Sequence, residues 1–397
     1  MADTDRDAWI TGIGMLSSLG EGPEAHWQRL SEAQPGADAT MFAPYLIHPL
    51  AAVDFDKQIP KRGDQRQMEP WQRIGTYTAG LALESAGAKG NGELLGRMDM
   101  IVAAGGGERD INADSTILSG LRKAENPAAF LNERLMSELR PTLFLAQLSN
   151  LLAGNISIVH GVTGSSRTFM GEEAAGVDAV RIALSRIGAG QSDIALVGGA
   201  HNGERKDMVM QYVFAGHLLK DRYRTVWERA PDGGFVLGSF GAFLVIEAAA
   251  SARARGAKPF ARLTAVLSDR SRRHPGDVTA QLRRMWAELS PRLDPEHVAV
   301  ISGATGGEPA TAEERAFLAE RPGIAVRAAA SHLGLAPEPQ FAMSIAIAAL
   351  AVQHGRLFPP ADQSGVERPA ERPITQAVVT SVGHWRGEGM ALVEAIE

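Results

Sequence analysis

The segment SSRTFMGEEAAG, residues 165–176, leads into a helical pattern and forms one strand–turn–helix unit of the chain. Apolar side chains recur there at helical spacing on one face, at Val177, Val180, Leu184 and Ile187. This spacing predicts a helix over Ala174–Ile187 that begins just after a tight turn at Gly171. A strand is predicted to follow at Ile194–Val197.

The rest of the chain repeats this alternation of short apolar runs with longer helical patterns. Runs rich in isoleucine and valine predict further strands at Ala8–Thr11, Met100–Ala104, Ala242–Glu247, Val298–Ser302 and Ala377–Ser381. Such alternation is typical of βαβ units and of a largely parallel, buried sheet. The sequence therefore predicts an α/β fold.

Composition limits the classes of function. The 397 residues include no cysteine, which excludes disulfides, cysteine-ligated zinc, iron–sulfur clusters and a cysteine nucleophile. A formal net charge of -6 gives no reason to expect nucleic acid or an anionic membrane surface as partner. Scattered histidines without metal-ligand spacing are interpreted as structural, and we expect no metal or cofactor; they include His26, His160, His201 and His217.

The expected location is the cytoplasm. The amino terminus is acidic and polar, and it resembles neither a signal peptide nor an anchor. The apolar run Phe341–Val352 is too short to span a bilayer, so no membrane insertion is expected.

The clearest seam in the chain lies in the segment Ala248–Pro259. This segment is typical of a short helix that stops at Gly256 and is followed by a proline. We therefore divide the chain into two halves, residues 1–256 and 257–397.

Three stretches resemble the β-ketoacyl-acyl-carrier-protein synthase family. Trp9–Gly20 is similar to the opening strand and loop of that family, and its glycine spacing does not fit a dinucleotide-binding loop. Residues Ser149–Ala200 look like the segment around the nucleophile turn, and Asp232–Gly238 resembles a later glycine-rich block. The resemblance implies a thiolase-like five-layered sandwich of two similar α/β halves, with the active site between them and a two-fold dimer around it.

Family members use one cysteine, two histidines and a lysine for condensation. The positions that match these four are Glu173 in the first half and Ser302, Ala330 and Leu335 in the second. A carboxylate cannot replace a thiolate in acyl transfer at comparable speed. The resemblance therefore implies that this chain alone does not condense acyl groups, and no catalytic residue is assigned.

The family's gating loop, which also lends backbone donors to an oxyanion, is matched by Gly383–Gly389. It carries His384, Trp385 and Arg386, which are expected to crowd the pocket. An unpaired carboxylate in a dry pocket is costly, so we expect Glu173 to pair with Arg386 or His384.

Two further side chains near the matched positions also carry expectations. Glu313 stands where the family has an acid. His332 is out of register with the catalytic histidine, and we expect it at the surface or in an interface.

Three functions remain open. The first is a non-condensing subunit, similar to chain-length factors, that pairs with an active ketosynthase as a homo- or heterodimer and shapes its acyl tunnel or docks acyl carrier protein. The second is an enzyme that uses Glu173, with His384, Ser302 or Arg386, for malonyl decarboxylation or acyl thioester hydrolysis. The third is a structural dimer or carrier-binding module.

A finer resemblance concerns the biosynthetic pathway. The stretches Ala103–Asp110 and Arg140–Gln147 are similar to ketosynthase-like proteins associated with the very-long-chain fatty acids of lipid A. This resemblance implies a role in fatty acid biosynthesis.

Overall fold

The computed structural model describes residues 4–32, 34–138, 145 and 147–396. Most of the strands form one mixed sheet of eleven strands, and a small sheet of three lies apart from it. The strands are β1 Ala8–Ser17, β2 Gly20–Glu21, β3 Asp38–Phe42, β4 Tyr45–His48, β5 Asp99–Ala103, β6 Ser166–Phe169, β7 Ile194–His201, β8 Leu237–Gly238, β9 Phe240–Ala248, β10 Ala261–Asp269, β11 Val298–Ser302, β12 Ala325–Ala328, β13 Gln376–Val382 and β14 Glu388–Glu394.

Helices cover both faces of the large sheet and connect its parallel strands. The helices are α1 Gly22–Glu32, α2 Arg62–Gln67, α3 Pro70–Ser85, α4 Gly92–Arg97, α5 Ile111–Leu121, α6 Pro127–Glu138, α7 Leu151–His160, α8 Glu172–Gly188, α9 Lys206–Phe214, α10 Ala249–Ala254, α11 Asp277–Leu289, α12 Ala310–Ala319, α13 Ala330–Leu333 and α14 Gln340–His354. Among these described helices, none is both long and apolar enough to cross a membrane.

The large sheet consists of two groups of strands with the same topology. Its order is β12-β11-β13-β14-β10-β1-β9-β7-β5-β6, with β2 beside β1. The first group consists of β1, β5, β6, β7 and β9, and the second group consists of β10 to β14. When the strands of each group are counted in chain order, both groups have the third strand at the outer edge, followed by the second, fourth, fifth and first. The groups meet where Trp9 and Ile10 pair with Arg262 and Ala261. The division at Gly256 stays a prediction, which this repeated order supports.

Two helices lie between the two groups of strands. Helices α8 and α14 pack on each other, and each contacts strands of both groups. The core cluster around them contains residues from both groups. Helix α14 is buried on every side from Gln340 to Val352, as expected of an alanine-rich helix that is apolar all round.

The outer faces of the two groups have their own helices. Helices α3 and α7 cover the first group, and α11 and α12 cover the second, each over a separate core cluster. Each group of strands forms one layer, so the layers follow in the order helix, sheet, helix, sheet, helix. The predicted α/β fold with five layers is confirmed.

Strands β1 and β7 are longer than the sequence indicated, because glycines continue them. Strand β1 runs six residues beyond the predicted Ala8–Thr11, through Gly12 and Gly14. A Cβ on Gly14 would lie 2.2 Å from the Thr78 carbonyl oxygen, so these glycines let α3 pack closely on the strand. Strand β7 likewise continues through two glycines, whereas β11 matches its prediction to the residue.

One stretch that carried the finer resemblance is not testable in the fold. Of Arg140–Gln147, only Leu145 and Gln147 belong to the described residues. The resemblance at the remaining positions lies outside the part of the chain that the structure describes.

Candidate functional site

The matched positions lie at the carboxyl ends of parallel strands, where α/β sheets place their ligand sites. Glu173 follows β6 in the first group, after a turn at Gly171 with a φ of 139°. Ser302 is the last residue of β11, Ala330 follows β12, and His384 follows β13 in the second group. The fold therefore brings the two sets of strand ends together between the groups.

Glu173 is buried in the first turn of α8, with 7% of its surface exposed. Its Oε1 accepts the backbone N–H of His384 at 2.8 Å. The amino-terminal turn of a helix stabilises a carboxylate, because its backbone N–H groups and dipole point toward it. The expected contact between Glu173 and His384 is present, and the backbone amide makes it.

The imidazole of His384 lies in a cluster of aromatic rings. Its ring centroid is 4.5 Å from His217, 4.8 Å from Phe235 and 4.5 Å from Trp385. Burial, together with the charges of His217 and Arg273, lowers the pKa of His384 to about 4. The ring is therefore neutral at pH 7 and is a poor proton donor there.

Arg273 holds the loop that carries His384. Its Nη2 donates to the carbonyl oxygen of Gly383 at 2.7 Å, and its Nη1 lies 2.6 Å from Oε1 of Glu388. Glu388 is fully buried and also accepts the backbone N–H and the hydroxyl of Ser271. Within the loop, the Gly383 amide donates to Gly387 at 2.9 Å. These bonds fix the His384 amide in front of Glu173.

Sequence reasoning missed Arg273. It lies more than a hundred residues before the loop, in the basic run Arg270–Arg273, which is typical of a solvated surface. The available signal was Glu388, which stands just before the apolar run Met390–Val393, since a carboxylate buried with such a run needs a cationic partner.

Ser302 belongs to a buried hydrogen-bond network. Its hydroxyl donates to Oε1 of Glu314 at 2.8 Å, and the hydroxyl of Thr380 donates to the same oxygen. Burial raises the pKa of Glu314, and these hydrogen bonds oppose that rise only in part. The serine hydroxyl is therefore held by a buried carboxyl group whose pKa is raised.

Glu313 and Glu314 have different partners. Glu313 accepts the backbone N–H groups of Gly276 and Thr279, each at 3.0 Å, at the start of α11. Successive helix residues point about 100° apart, so Glu314 faces Ser302 while Glu313 faces α11. The match of Glu313 to the family's acid stays a prediction.

The other two matched positions are apolar. Ala330 and Leu335 are buried, and the backbone of Leu335 bonds to Val236 and Gly238 at 2.8 and 2.9 Å. Neither side chain can donate or accept a proton. The segment 233–238 thus contacts both the Leu335 region and, through Phe235, the ring of His384.

The sequence suggested that His332 lies at the surface or in an interface, whereas the structure buries it inside the chain. Only 4% of it is exposed, and its ring meets Phe358 edge-on at 5.7 Å. Burial lowers the pKa of His332 to about 4. All four residues of the one-turn helix α13 are buried, and the chain turns at Gly334 directly after it, with a φ of 74°.

Trp385 and Arg386 are exposed at the tip of the loop. The Trp385 ring lies 5.1 Å from His217, at the outer side of the aromatic cluster. The structure therefore places His384 inside the site and the next two residues at its mouth.

The five-layered arrangement and the site between its halves define a thiolase-like α/β protein. Residues 5–252 match the family described as Beta-ketoacyl synthase, N-terminal domain, and this match covers more than half of the chain. The chain belongs to the β-ketoacyl synthase family.

Individual relatives are distant. The 3-oxoacyl-(acyl-carrier-protein) synthase 2 of Vibrio cholerae is 27% identical over 266 residues, which cover 64% of this chain and 61% of that protein. The match thus spans less than two thirds of this relative's length. The tetracenomycin polyketide synthase ketoacyl synthase beta subunit of Streptomyces glaucescens is 27% identical over 315 residues, covering 76% of this chain and 73% of that protein.

Solved structures show the same fold. The structure titled the ishigamide ketosynthase/chain length factor aligns with a TM-score of 0.81 over 99% of this chain and 100% of that chain, at 21% identity. Such a likeness establishes the architecture of the chain.

Proposed function

We propose that this chain is a non-condensing accessory subunit of fatty acid biosynthesis. It pairs with an active β-ketoacyl synthase and shapes the acyl tunnel of that partner or docks acyl carrier protein. The observation that carries this proposal is the hydrogen bond from the His384 amide to the Glu173 carboxylate. In the family, this loop lends backbone donors to an oxyanion, and here a side chain of the protein occupies the donor.

The surrounding groups cannot restore condensation. A condensing site needs a strong nucleophile and groups that stabilise the carbanion and the oxyanion. The matched positions supply a carboxylate, a serine bonded to a buried acid, and two apolar side chains, at Glu173, Ser302, Ala330 and Leu335. His384 follows β13 and stands at neither of the positions that match a family histidine, so it does not replace one.

The edge of the large sheet offers a surface for a partner of the same fold. Strand β6 is the last strand of the ladder in the described part of the chain. Met170, which follows it, is 65% exposed, and Ile158 on the neighbouring α7 is 70% exposed. An edge strand flanked by exposed apolar side chains favours pairing with another chain. The name of the Streptomyces glaucescens relative, a beta subunit, supports a paired role.

The mouth of the site offers a second surface. Trp385 and Phe214 are exposed large side chains. The Trp385 ring lies against His217, which follows Phe214 by three residues in the chain. Arg386 is an exposed cation beside them. Aromatic anchors with a cation suit an acidic carrier protein. This mouth is the proposed carrier-docking surface.

Co-expression tests the pairing. The chain is produced with a ketosynthase encoded near its gene, and a tag on one subunit is used to recover the other. We expect a one-to-one complex for the wild-type chain and for Met41→Asp, which changes an exposed methionine on β3. Met170→Asp places a charge beside β6 and should abolish recovery. Equal recovery of all three chains would contradict pairing through β6.

The pathway is a finer part of the proposal. The resemblance to proteins of lipid A very-long-chain fatty acid synthesis makes long acyl products the first to be sought. A complex whose products match those of the ketosynthase alone would leave the chain with a structural or carrier-binding role only.

A further inference from the structure

The crevice at the carboxyl ends of β5 and β7 is filled by a side chain from the opposite half of the protein. In α/β sheets such crevices bind ligands. We propose that Glu338 and His201 close this crevice, so that the subunit holds no apolar chain of its own. This inference rests on the proposed function, in which the growing acyl chain belongs to the partner.

The two side chains form a buried pair between the halves. His201 is the last residue of β7, and Glu338 lies two residues before the start of α14 in the second half. Nδ1 of His201 lies 2.9 Å from Oε2 of Glu338, and both side chains are at least nine-tenths buried. The pair therefore spans the space between the strand ends of the first group and the start of α14.

Three glycines of the first half make room for Glu338. A Cβ on Gly105, just beyond β5, would lie 2.3 Å from Oε1 of Glu338. A Cβ on Gly176 in α8 would lie 2.7 Å from the Glu338 carbonyl oxygen, and one on Gly199 would lie 3.4 Å from its carbonyl carbon. Glu338 thus enters a cradle built from three separate elements, and the sites are too tight for any larger residue.

The space that remains is too small for an organic ligand. A cavity of about 30 Å³ is left beside the pair. It is lined by Trp71, Gly105, Gly106, Gly107, Ala200, His201, Asn202, Arg205, Met208 and Glu338. Ligand pockets usually hold roughly 300 Å³ or more, whereas one water needs roughly 10–15 Å³. The cavity fits one or two waters, which would also serve His201 Nε2, a buried atom without a hydrogen-bond partner among the described residues.

Neighbouring groups stabilise the carboxylate of Glu338. Burial by itself raises the pKa of Glu338, but the facing His201 and the nearby Arg205 outweigh it and hold that pKa below its usual value. Removing one member alone would leave the other buried without its partner, which is costly. The binding test therefore removes both side chains together. Their removal would enlarge the crevice beside Trp71, Ala200 and Met208, while Asn202 and Arg205 would stay in its lining.

The experiment measures binding of a fluorescent fatty acid, 11-(dansylamino)undecanoic acid, to the purified full chain. We expect no saturable binding to the wild type and saturable binding to the double variant His201→Ala/Glu338→Ala. Because each buried methylene contributes about fourfold in affinity, the gain should be about tenfold or more.

A matched control removes another buried pair away from the crevice. Glu247 and Arg255 lie 2.7 Å apart, and Glu247 pairs with Ile194 at the other end of β7. The variant Glu247→Ala/Arg255→Ala should bind no more probe than the wild type. If it gains as much binding as the crevice variant, the gain reflects general loosening, and the proposal is wrong.

A second measurement does not depend on the folding of the double variant. Gly105→Ala should lower the melting temperature strongly when Glu338 is present and much less in a Glu338→Ala background. Gly105→Ala without effect in the wild type would contradict the crowded cradle.

Two binding outcomes would also overturn the proposal: saturable binding by the wild type with the affinity of the variant, or a folded double variant that binds nothing. Neither outcome depends on a partner. A wild type that binds the probe and still pairs with a ketosynthase would refute the closed crevice alone.

Discussion

The carboxylate of Glu173 accepts the backbone amide of His384 at 2.8 Å, across the boundary between the two halves of the fold. The acceptor begins a central helix, and the donor follows a strand of the other half. In the proposed function, this carboxylate occupies the backbone donor that the family's matching loop aims at a reaction intermediate. This hydrogen bond joins the two halves of the fold.

Substitution of Glu173 separates its hydrogen bond from its charge. Glu173→Gln keeps an oxygen acceptor for the His384 amide, so its stability should stay within about 1 kcal/mol of the wild type. Glu173→Ala leaves that buried amide without its acceptor and should cost about 1–3 kcal/mol. Urea unfolding followed by circular dichroism measures both. A larger loss for glutamine than for alanine would contradict the role of this hydrogen bond.

The variant Glu173→Gln also tests the alternative in which Glu173 is a catalytic base. Malonyl carrier protein and acyl carrier protein are incubated with the purified chain, and the released carbon dioxide and free acid are measured. We expect no turnover above the uncatalysed rate for either the wild type or Glu173→Gln. Turnover by the wild type that falls with glutamine would establish the changed chemistry.

Restoring the thiol alone should not restore condensation. Glu173→Cys places a cysteine in the first turn of α8, where the helix dipole lowers the pKa of a thiol. We expect alkylation by iodoacetamide but no carbon–carbon bond formation, because the positions of Ala330 and Leu335 hold apolar side chains. The assay is product analysis after incubation with acyl and malonyl carrier proteins. Condensation by this variant would show that the remaining site is competent.

Arg273 should stabilise the loop far more than its neighbour Arg270. Arg273→Gln leaves Glu388 buried without its cation, which typically costs about 3–5 kcal/mol. Arg270 is largely exposed and lies 3.9 Å from Asp178, so Arg270→Gln should change stability by less than about 1 kcal/mol. Denaturant unfolding of the two variants gives the comparison. Equal losses would show that the buried ion pair does not hold the loop.

Acid should destabilise the protein through buried neutral histidines. Burial lowers the pKa of His26, His160 and His332 to about 4 and that of His48 to about 3. Below the unfolded pKa of about 6.5, the unfolded chain binds protons that the folded chain refuses, so stability falls from that pH down to the folded values. At pH 5 the loss is about 2 kcal/mol for each histidine.

The urea midpoint at several pH values between 7.5 and 5 tests this expectation. His332→Leu should reduce the loss of stability on acidification, while His274→Gln, at an exposed position, should leave it unchanged. A midpoint that is constant over this range would contradict the buried, neutral histidines.

The sequence was sufficient for the elements that depend on local pattern. The apolar spacing after Gly171 predicted α8, which begins only two residues before the predicted start at Ala174. The match of Glu173 to the family's nucleophile position stays a prediction, and the structure places this residue in the first turn of α8. Strand ends were less accurate, because glycines such as Gly14 are chosen for close helix packing and not for strand formation.

Pairs of residues distant in the sequence could not be predicted in this way. His201 and Glu338 are separated by more than a hundred residues, as are Arg273 and Gly383. Neither pair has a local spacing that identifies it, since the contact exists only after the two halves stack. His332 was misplaced for a related reason, because its contact with Phe358 forms only in the folded chain.

The most direct test of the accessory role is the length of the acyl products made by the partner ketosynthase with and without this chain. Purified ketosynthase, carrier protein and acyl precursors are combined, and the products are separated by mass spectrometry. We expect no products from this chain alone, and a changed length distribution when it is added to the ketosynthase. Condensation by this chain alone would contradict the accessory role, and an unchanged distribution in a stable complex would contradict tunnel shaping.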